Sequence, residues 1–297
     1  MSSFALIVLL LAAVAGFLGV MWRRSSANKQ KTASDERSRA ARADALFEEA
    51  YNYFQGTHEY DKAIAAFEEV RRLNPEDARA LYYLSAIHDW EGRPEQALPL
   101  LDKALEIDPD DADALSSRAG ILGRMGEHER AIKDHDRAVE LDPEAGSNYN
   151  NRAMSYLAIN DLPRALADME EAVRLWPDEV FFRANRAVVY VFLNRIPEAM
   201  ADCDTAFALR ASHPSNFVAR GLALLRAGEP REALSDLNTA LSLDKDTSDV
   251  RYGLSLAKHA LGDIAGAEEE RAIAVRKDPL VHARFNWTPE NRSAGLH

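Results

Sequence analysis

The chain lacks the residues and motifs from which most catalytic and metal sites are built. Of its 297 residues only Cys203 is a cysteine, which excludes an internal disulfide and a cysteine metal cluster. No phosphate-binding glycine loop, dinucleotide fingerprint or nucleophile elbow occurs. The eight histidines have no metal-ligand spacing, and the acidic stretch 108–113 lacks the glycine and glutamate of a calcium loop. We therefore predict a protein that is not an enzyme and that holds no cofactor or metal.

Basic residues are scarce outside one short segment. The chain has 36 Lys and Arg against 48 Asp and Glu, and residues 23–43 hold seven of the basic residues but only two of the acidic ones. The remainder has 29 basic and 46 acidic residues, a net charge of −17. Such an acidic surface argues against a nucleic-acid partner, because binding a phosphate backbone needs clustered positive charge. Residues 23–43 have no apolar stripe and are predicted to form a basic polar linker.

A long hydrophobic run occurs once, near the N-terminus. Residues 4–22 contain no charge, and as a helix they would span about 28 Å, close to the ~30 Å hydrocarbon core. Arg23 and Arg24 follow at once, and positive charge marks the cytoplasmic side. We expect residues 1–22 to anchor a single-pass membrane protein with its N-terminus outside and the remainder in the cytoplasm. The alternatives are a peripheral or buried helix and a cleaved signal, although a signal carries its charge before the apolar run. Small residues four apart in the run would also let two anchors pack, so that the protein self-associates.

From residue 44 onwards a unit recurs every 34 residues without a slip of register. Its plainest mark is a column of alanines, at Ala63, Ala97, Ala131, Ala165, Ala199, Ala233 and Ala267. A fixed period in this range predicts a stacked repeat array. We place seven copies at 44–77, 78–111, 112–145, 146–179, 180–213, 214–247 and 248–281, followed by a C-terminal tail at 282–297. In that tail, Phe285 and Trp287 are predicted to cover the end of the array.

Each copy is predicted to form two helices, as the fourth copy illustrates. Two apolar stripes at helical spacing are separated by Asn160 and Asp161. Pro163 suits the first turn of the second helix, and Pro177 stops it. Most copies have Gly or Asn at the break, where a helix commonly ends in the left-handed conformation.

These columns resemble the tetratricopeptide repeat family over residues 44–281. The family unit has the same length, with an aromatic residue or Leu early in the first helix, small residues where the helices cross, and a closing proline. The early column holds Phe47, Leu81, Leu115, Tyr149 and Phe217, whereas Arg183 and Arg251 depart from it. The resemblance implies an all-α, right-handed superhelix of about seven helix pairs, whose first helices line a concave binding groove.

One known ligand site of that family is missing. Its carboxylate clamp, which grips chaperone C-termini, uses Lys, Asn and Arg side chains from three consecutive first helices. Asn151 matches the middle Asn, but the neighbouring copies have Ser116 and Gly120 before it and Phe181 and Asn185 after it. This pattern argues against chaperone-tail binding by that mode.

We predict that a partner peptide or helix binds across the fourth to sixth copies. The groove-facing positions implied by the resemblance are more apolar there than in the third copy, and side-chain amides can bind an extended backbone. The predicted residues are Asn151, Phe181, Asn185, Val188, Phe192, Leu222 and Leu225. Alternatively, these side chains pack between repeats or against the C-terminal tail. The sequence thus predicts a membrane-anchored interaction scaffold. A periplasmic or secreted binding protein with a cleaved signal, and a non-catalytic subunit of an enzyme complex, are the alternatives.

Overall fold

The computed structural model describes residues 34–57, 59–278 and 281–285, together with positions 21, 29, 30 and 32. This part of the chain is helical and contains no strand, as predicted. Apart from Met21, the predicted anchor lies outside the described residues, as does the tail beyond Phe285. No helix in the described ranges is long and apolar enough to cross a membrane. The hand of the superhelix and the domain boundaries stay predictions.

The chain divides into two compact units, Met1–Pro109 and Asp110–His297. In the first unit, helix α1 covers residues 34–52 and continues into a π-helical turn, Tyr53–Thr57. Helices α2 (Tyr60–Leu73), α3 (Ala78–Trp90) and α4 (Pro94–Ile107) follow. Helix α1 begins well before residue 44, because the preceding segment holds good helix formers and neither Gly nor Pro. Part of the predicted linker is therefore helical.

The second unit consists of paired helices that keep the 34-residue period. They are α5 (Ala112–Arg124), α6 (His128–Leu141), α7 (Gly146–Ala158), α8 (Leu162–Leu175), α9 (Val180–Phe192), α10 (Ile196–Leu209), α11 (Pro214–Ala227), α12 (Pro230–Ser242), α13 (Ser248–Ala260), α14 (Ile264–Lys277) and the short α15 (Val281–Arg284). From α5 to α14, consecutive helices pack on each other, and from α5 to α13 each first helix also contacts the next first helix. The first helices therefore have two buried faces, one towards their own partner and one towards each other.

The columns of small residues lie where the helices cross, as predicted. All seven alanines of the main column are buried, and so is Cys203, in a core column of α10. Burial raises the pKa of the Cys203 thiol to about 12, which makes it a structural thiol and not a reactive one. The breaks between paired helices also have the predicted left-handed residues, including Asn160 and Asn194, both at φ 60°. In the sixth copy, where Lys245 replaces the closing proline, the left-handed Asp244 follows the helix end.

Four repeats are braced by an arginine–aspartate pair between their two helices. The pairs are Arg118–Asp134, Arg152–Asp168, Arg186–Asp202 and Arg220–Asp236, each joined by two hydrogen bonds of 2.7–2.9 Å. The aspartates are buried, and the planar guanidinium matches each carboxylate in a bidentate arrangement. Leucines, Leu84 and Leu100, occupy the equivalent positions in the second copy. The same two positions of the repeat therefore accept either an ion pair or two leucines.

Candidate partner-binding site

A cavity of about 690 Å³ lies within the second unit. Its walls come from α5 and α7, the turn and first half of α6, the start of α13 and the end of α14. Two consecutive first helices thus form one side, while the last described repeat contributes helix ends to the other. A pocket of this size lies in the usual range for ligand sites.

The floor of the cavity is helix α5, which has little side-chain volume there. Gly120 and Gly123 both line it. A Cβ atom added at Gly123 would meet nothing within 4 Å, and one at Gly120 would meet only Arg124 Nη1, at 3.7 Å. Gly221 in α11 is different, since a Cβ atom there would lie 2.8 Å from Leu237 Cγ. Close packing therefore requires Gly221, but it does not explain the two glycines of α5.

Helix α7 presents an amide and apolar side chains to the same space. Asn151 Oδ1 accepts a hydrogen bond from Asn150 Nδ2 at 3.1 Å, and Asn150 Oδ1 accepts one from Asn185 Nδ2 at 2.8 Å. Among the described residues, nothing accepts a hydrogen bond from Asn151 Nδ2, which is thus available to an occupant. Met154 on α7 and Met125 in the α5–α6 turn are 37% and 48% exposed at the cavity.

Two histidines of α6 complete this wall. His135 is only 2% exposed, and its pKa falls to about 4 because burial disfavours the imidazolium; Asp134 opposes this effect and Arg152 adds to it. His135 is therefore neutral near pH 7. The buried Nδ1 atoms of His128 and His135 have no hydrogen-bond partner within the described part of the chain. Neither histidine belongs to a metal-binding group there, since no such group occurs among the residues described.

The positively and negatively charged residues that line the cavity are equal in number. Arg124 and Lys277 supply two positive charges, and Asp249 and Asp278 supply two negative ones. Lys277 Nζ lies 3.4 Å from Asp246 Oδ2, so this positive charge also faces a carboxylate just outside the lining. The cavity therefore has no net charge, although the chain as a whole carries −12.

The predicted groove residues do not form one surface, because some line the cavity and others pack in the core. Asn151 lines the cavity, and Asn185 reaches it only through Asn150. Phe181 is half-buried beside Phe182, with ring centroids 4.4 Å apart. Val188, Phe192 and Leu225 are partly buried against the core formed by α9–α13. The prediction of Leu222 as an exposed wall residue is wrong, because its side chain is fully buried. The contacts of α11 with both α9 and α13 explain its burial.

The end of the described chain packs on part of the predicted groove. The ring of Phe285 lies 5.3 Å from that of Phe192 and 5.0 Å from that of Tyr252, and it is 3% exposed. Packing against the C-terminal tail, the predicted alternative for these side chains, therefore applies to Phe192. Trp287 lies outside the described residues.

Sequence patterns could have located the cavity by one signal. Gly120 lies inside helix α5, where glycine costs about 1 kcal/mol relative to alanine, and Gly123 lies in the last turn of the same helix. Neither glycine has the positive φ of the residue that ends a helix, and neither meets a crossing helix. Two such glycines one turn apart point to space that the fold leaves open.

Comparisons with known proteins agree with this fold. Family models described as tetratricopeptide repeats match residues 47–121 and 90–151, and a second set matches 150–214 and 218–281. The chain therefore belongs to the tetratricopeptide repeat family. No curated protein matches it.

Solved structures share the architecture at low sequence identity. A tetratricopeptide repeat protein from Parabacteroides merdae is 17% identical, with 82% of this chain and 99% of that one covered and a TM-score of 0.65. The thermophilic protein TTC0263 of Thermus thermophilus is 25% identical, with 62% and 98% covered and a TM-score of 0.53. The type IV pilus biogenesis factor PilW is 18% identical, with 73% and 97% covered and a TM-score of 0.54. Identities this low support the fold and not a particular partner.

Proposed function

We propose that this protein is a non-catalytic interaction scaffold that binds a polypeptide partner in the cavity of its second unit. The observation that carries the proposal is that two consecutive first helices, α5 and α7, enclose this cavity with hydrogen-bonding groups left unused. The clearest of these groups is the Asn151 amide, whose Nδ2 has no acceptor among the described residues. A hydrogen bond from this amide to an occupant would contribute about 0.5–1.5 kcal/mol.

The test is a selection for peptides that bind the full-length chain. A phage-displayed library of random peptides is panned on the immobilised protein, and fluorescence anisotropy measures the affinity of the enriched peptides. We expect Asn151→Ala to weaken binding about tenfold, as the loss of one good hydrogen bond would. Asn238→Ala, an exposed site on α12, is the matched control and should bind like the unaltered chain. A library that yields no binder would contradict the proposal.

We further propose that residues 4–22 anchor the protein and hold the repeats in the cytoplasm. The support is the uncharged length of this run and the two arginines directly after it. Reporters fused after Ala43 should be active only in their cytoplasmic form, and moving Arg23 and Arg24 ahead of Phe4 should weaken that preference. A mature chain that has lost its first residues would instead identify the run as a cleaved signal.

A further inference from the structure

We infer that the cavity receives a bulky apolar side chain of the partner, carried on a segment without net charge and seated over Gly120 and Gly123. This inference rests on the proposed function and names the chemistry of the ligand.

Those positions hold large apolar side chains in the three following repeats. Gly120 and Gly123 correspond to Met154 and Leu157 in the fourth copy, to Val188 and Val191 in the fifth, and to Leu222 and Leu225 in the sixth. Several of these side chains are packed in the core. The third copy therefore lacks two apolar side chains that the fold can accommodate, and no neighbour fills the space beside Gly123. An external side chain of similar size and polarity fits that space.

The rim of the cavity suits the same ligand. Met125 and Met154 are exposed, and the flexible, polarisable methionine side chain adapts to apolar groups of varied shape. Leu157 and Ala158 continue the apolar surface along α7. An apolar anchor would thus be covered from the side as well as from below.

The charges select against an ionised side chain. The two positive and two negative residues at the cavity cancel, and the buried His135 is neutral. A charged group would lose its hydration on entry and find no net opposite charge in return. An uncharged segment avoids the cost of desolvating a charge, and its main chain offers an acceptor for Asn151 Nδ2.

The experiment fills the space beside Gly123 with a larger side chain of the protein itself. In the full-length chain, Gly123→Leu introduces the residue present at the equivalent positions 157 and 225, and Gly123→Ala is the matched control. The probes are the peptides enriched on the unaltered protein. Burial of one large apolar side chain corresponds to about 10–100-fold in affinity, so Gly123→Leu should weaken binding by at least about tenfold. Gly123→Ala should change it by less than about threefold, and neither variant should lower the melting temperature.

The enriched peptides provide the second readout. They should share one bulky apolar residue whose replacement by alanine loses most of the affinity. Peptides that bind Gly123→Leu as tightly as the unaltered chain would overturn the inference and leave the proposed function standing. A shared charged residue, or a match to residues 286–297 of this chain, would also overturn it. Should Gly123→Leu fail to fold, Gly120→Met, which copies the residue at position 154, replaces it as the test variant.

Discussion

The buried histidine of α6 should make the stability of this protein depend on pH. The pKa of His135 falls from its ordinary value of 6.5 to about 4 on folding, because the imidazolium would be desolvated in the core. Between pH 6.5 and pH 4, the His135 imidazole is protonated in the unfolded chain but stays neutral in the folded chain. The stabilisation is therefore fully present above pH 6.5 and is lost as the pH falls towards 4. The two pKa values correspond to about 3 kcal/mol in total, of which about 2 kcal/mol is lost by pH 5.

The perturbation that isolates this effect is His135→Met. Methionine occupies the equivalent core position one repeat later, at Met169, which is fully buried. At pH 7 we expect the substitution to change the free energy of unfolding by less than about 1.5 kcal/mol, because it exchanges one core side chain for another of similar size. Between pH 7 and pH 5 the variant should lose about 2 kcal/mol less than the unaltered protein.

Urea-induced unfolding at both pH values, followed by circular dichroism, measures this difference. His259→Met, at an exposed position near the end of α13, is the control for the loss of a histidine as such and should behave like the unaltered chain. The NMR signal of the His135 ring reports its titration directly. Equal pH dependence of the unaltered chain and His135→Met, or a titration midpoint near 6.5, would refute the reasoning.

Three further predictions concern packing between the helices, each tested by thermal and urea unfolding. Ala165→Leu should destabilise the protein by about 1–3 kcal/mol through overpacking at a helix crossing, and an unchanged melt would contradict this. Asp202→Ala should cost about 3 kcal/mol because it leaves Arg186 half-buried without its partner, whereas replacing both residues with leucine, as in the second copy, should recover most of the loss. Gly221→Ala should lower the free energy of unfolding, whereas Gly123→Ala should raise it by about 0.5–1 kcal/mol. A change of the same sign in both variants would be inconsistent with the space beside Gly123.

The regular features of the fold are predictable because they repeat. An alanine that recurs every 34 residues specifies a close helix crossing in every copy. From the second copy to the seventh, Gly or Asn at the break specifies the left-handed residue that ends the first helix. The arginine–aspartate pairs recur with the same period, and their 16-residue spacing places them on facing helices. These pairs are predictable in the same way, although the apolar columns alone do not reveal them.

The candidate site is harder to predict because apolar patterns alone do not distinguish an exposed wall from a core. The apolar side chains of α9 and α11 resemble a binding surface, yet Leu222 is buried between neighbouring helices and Phe192 packs on the C-terminal Phe285. Both results depend on contacts between residues far apart in sequence, which no single repeat encodes. The third copy looks polar and featureless for the opposite reason, since its glycines leave room and supply no side chains. In a repeat array, a site is therefore better sought where one copy has smaller residues than its neighbours than where one copy is more apolar.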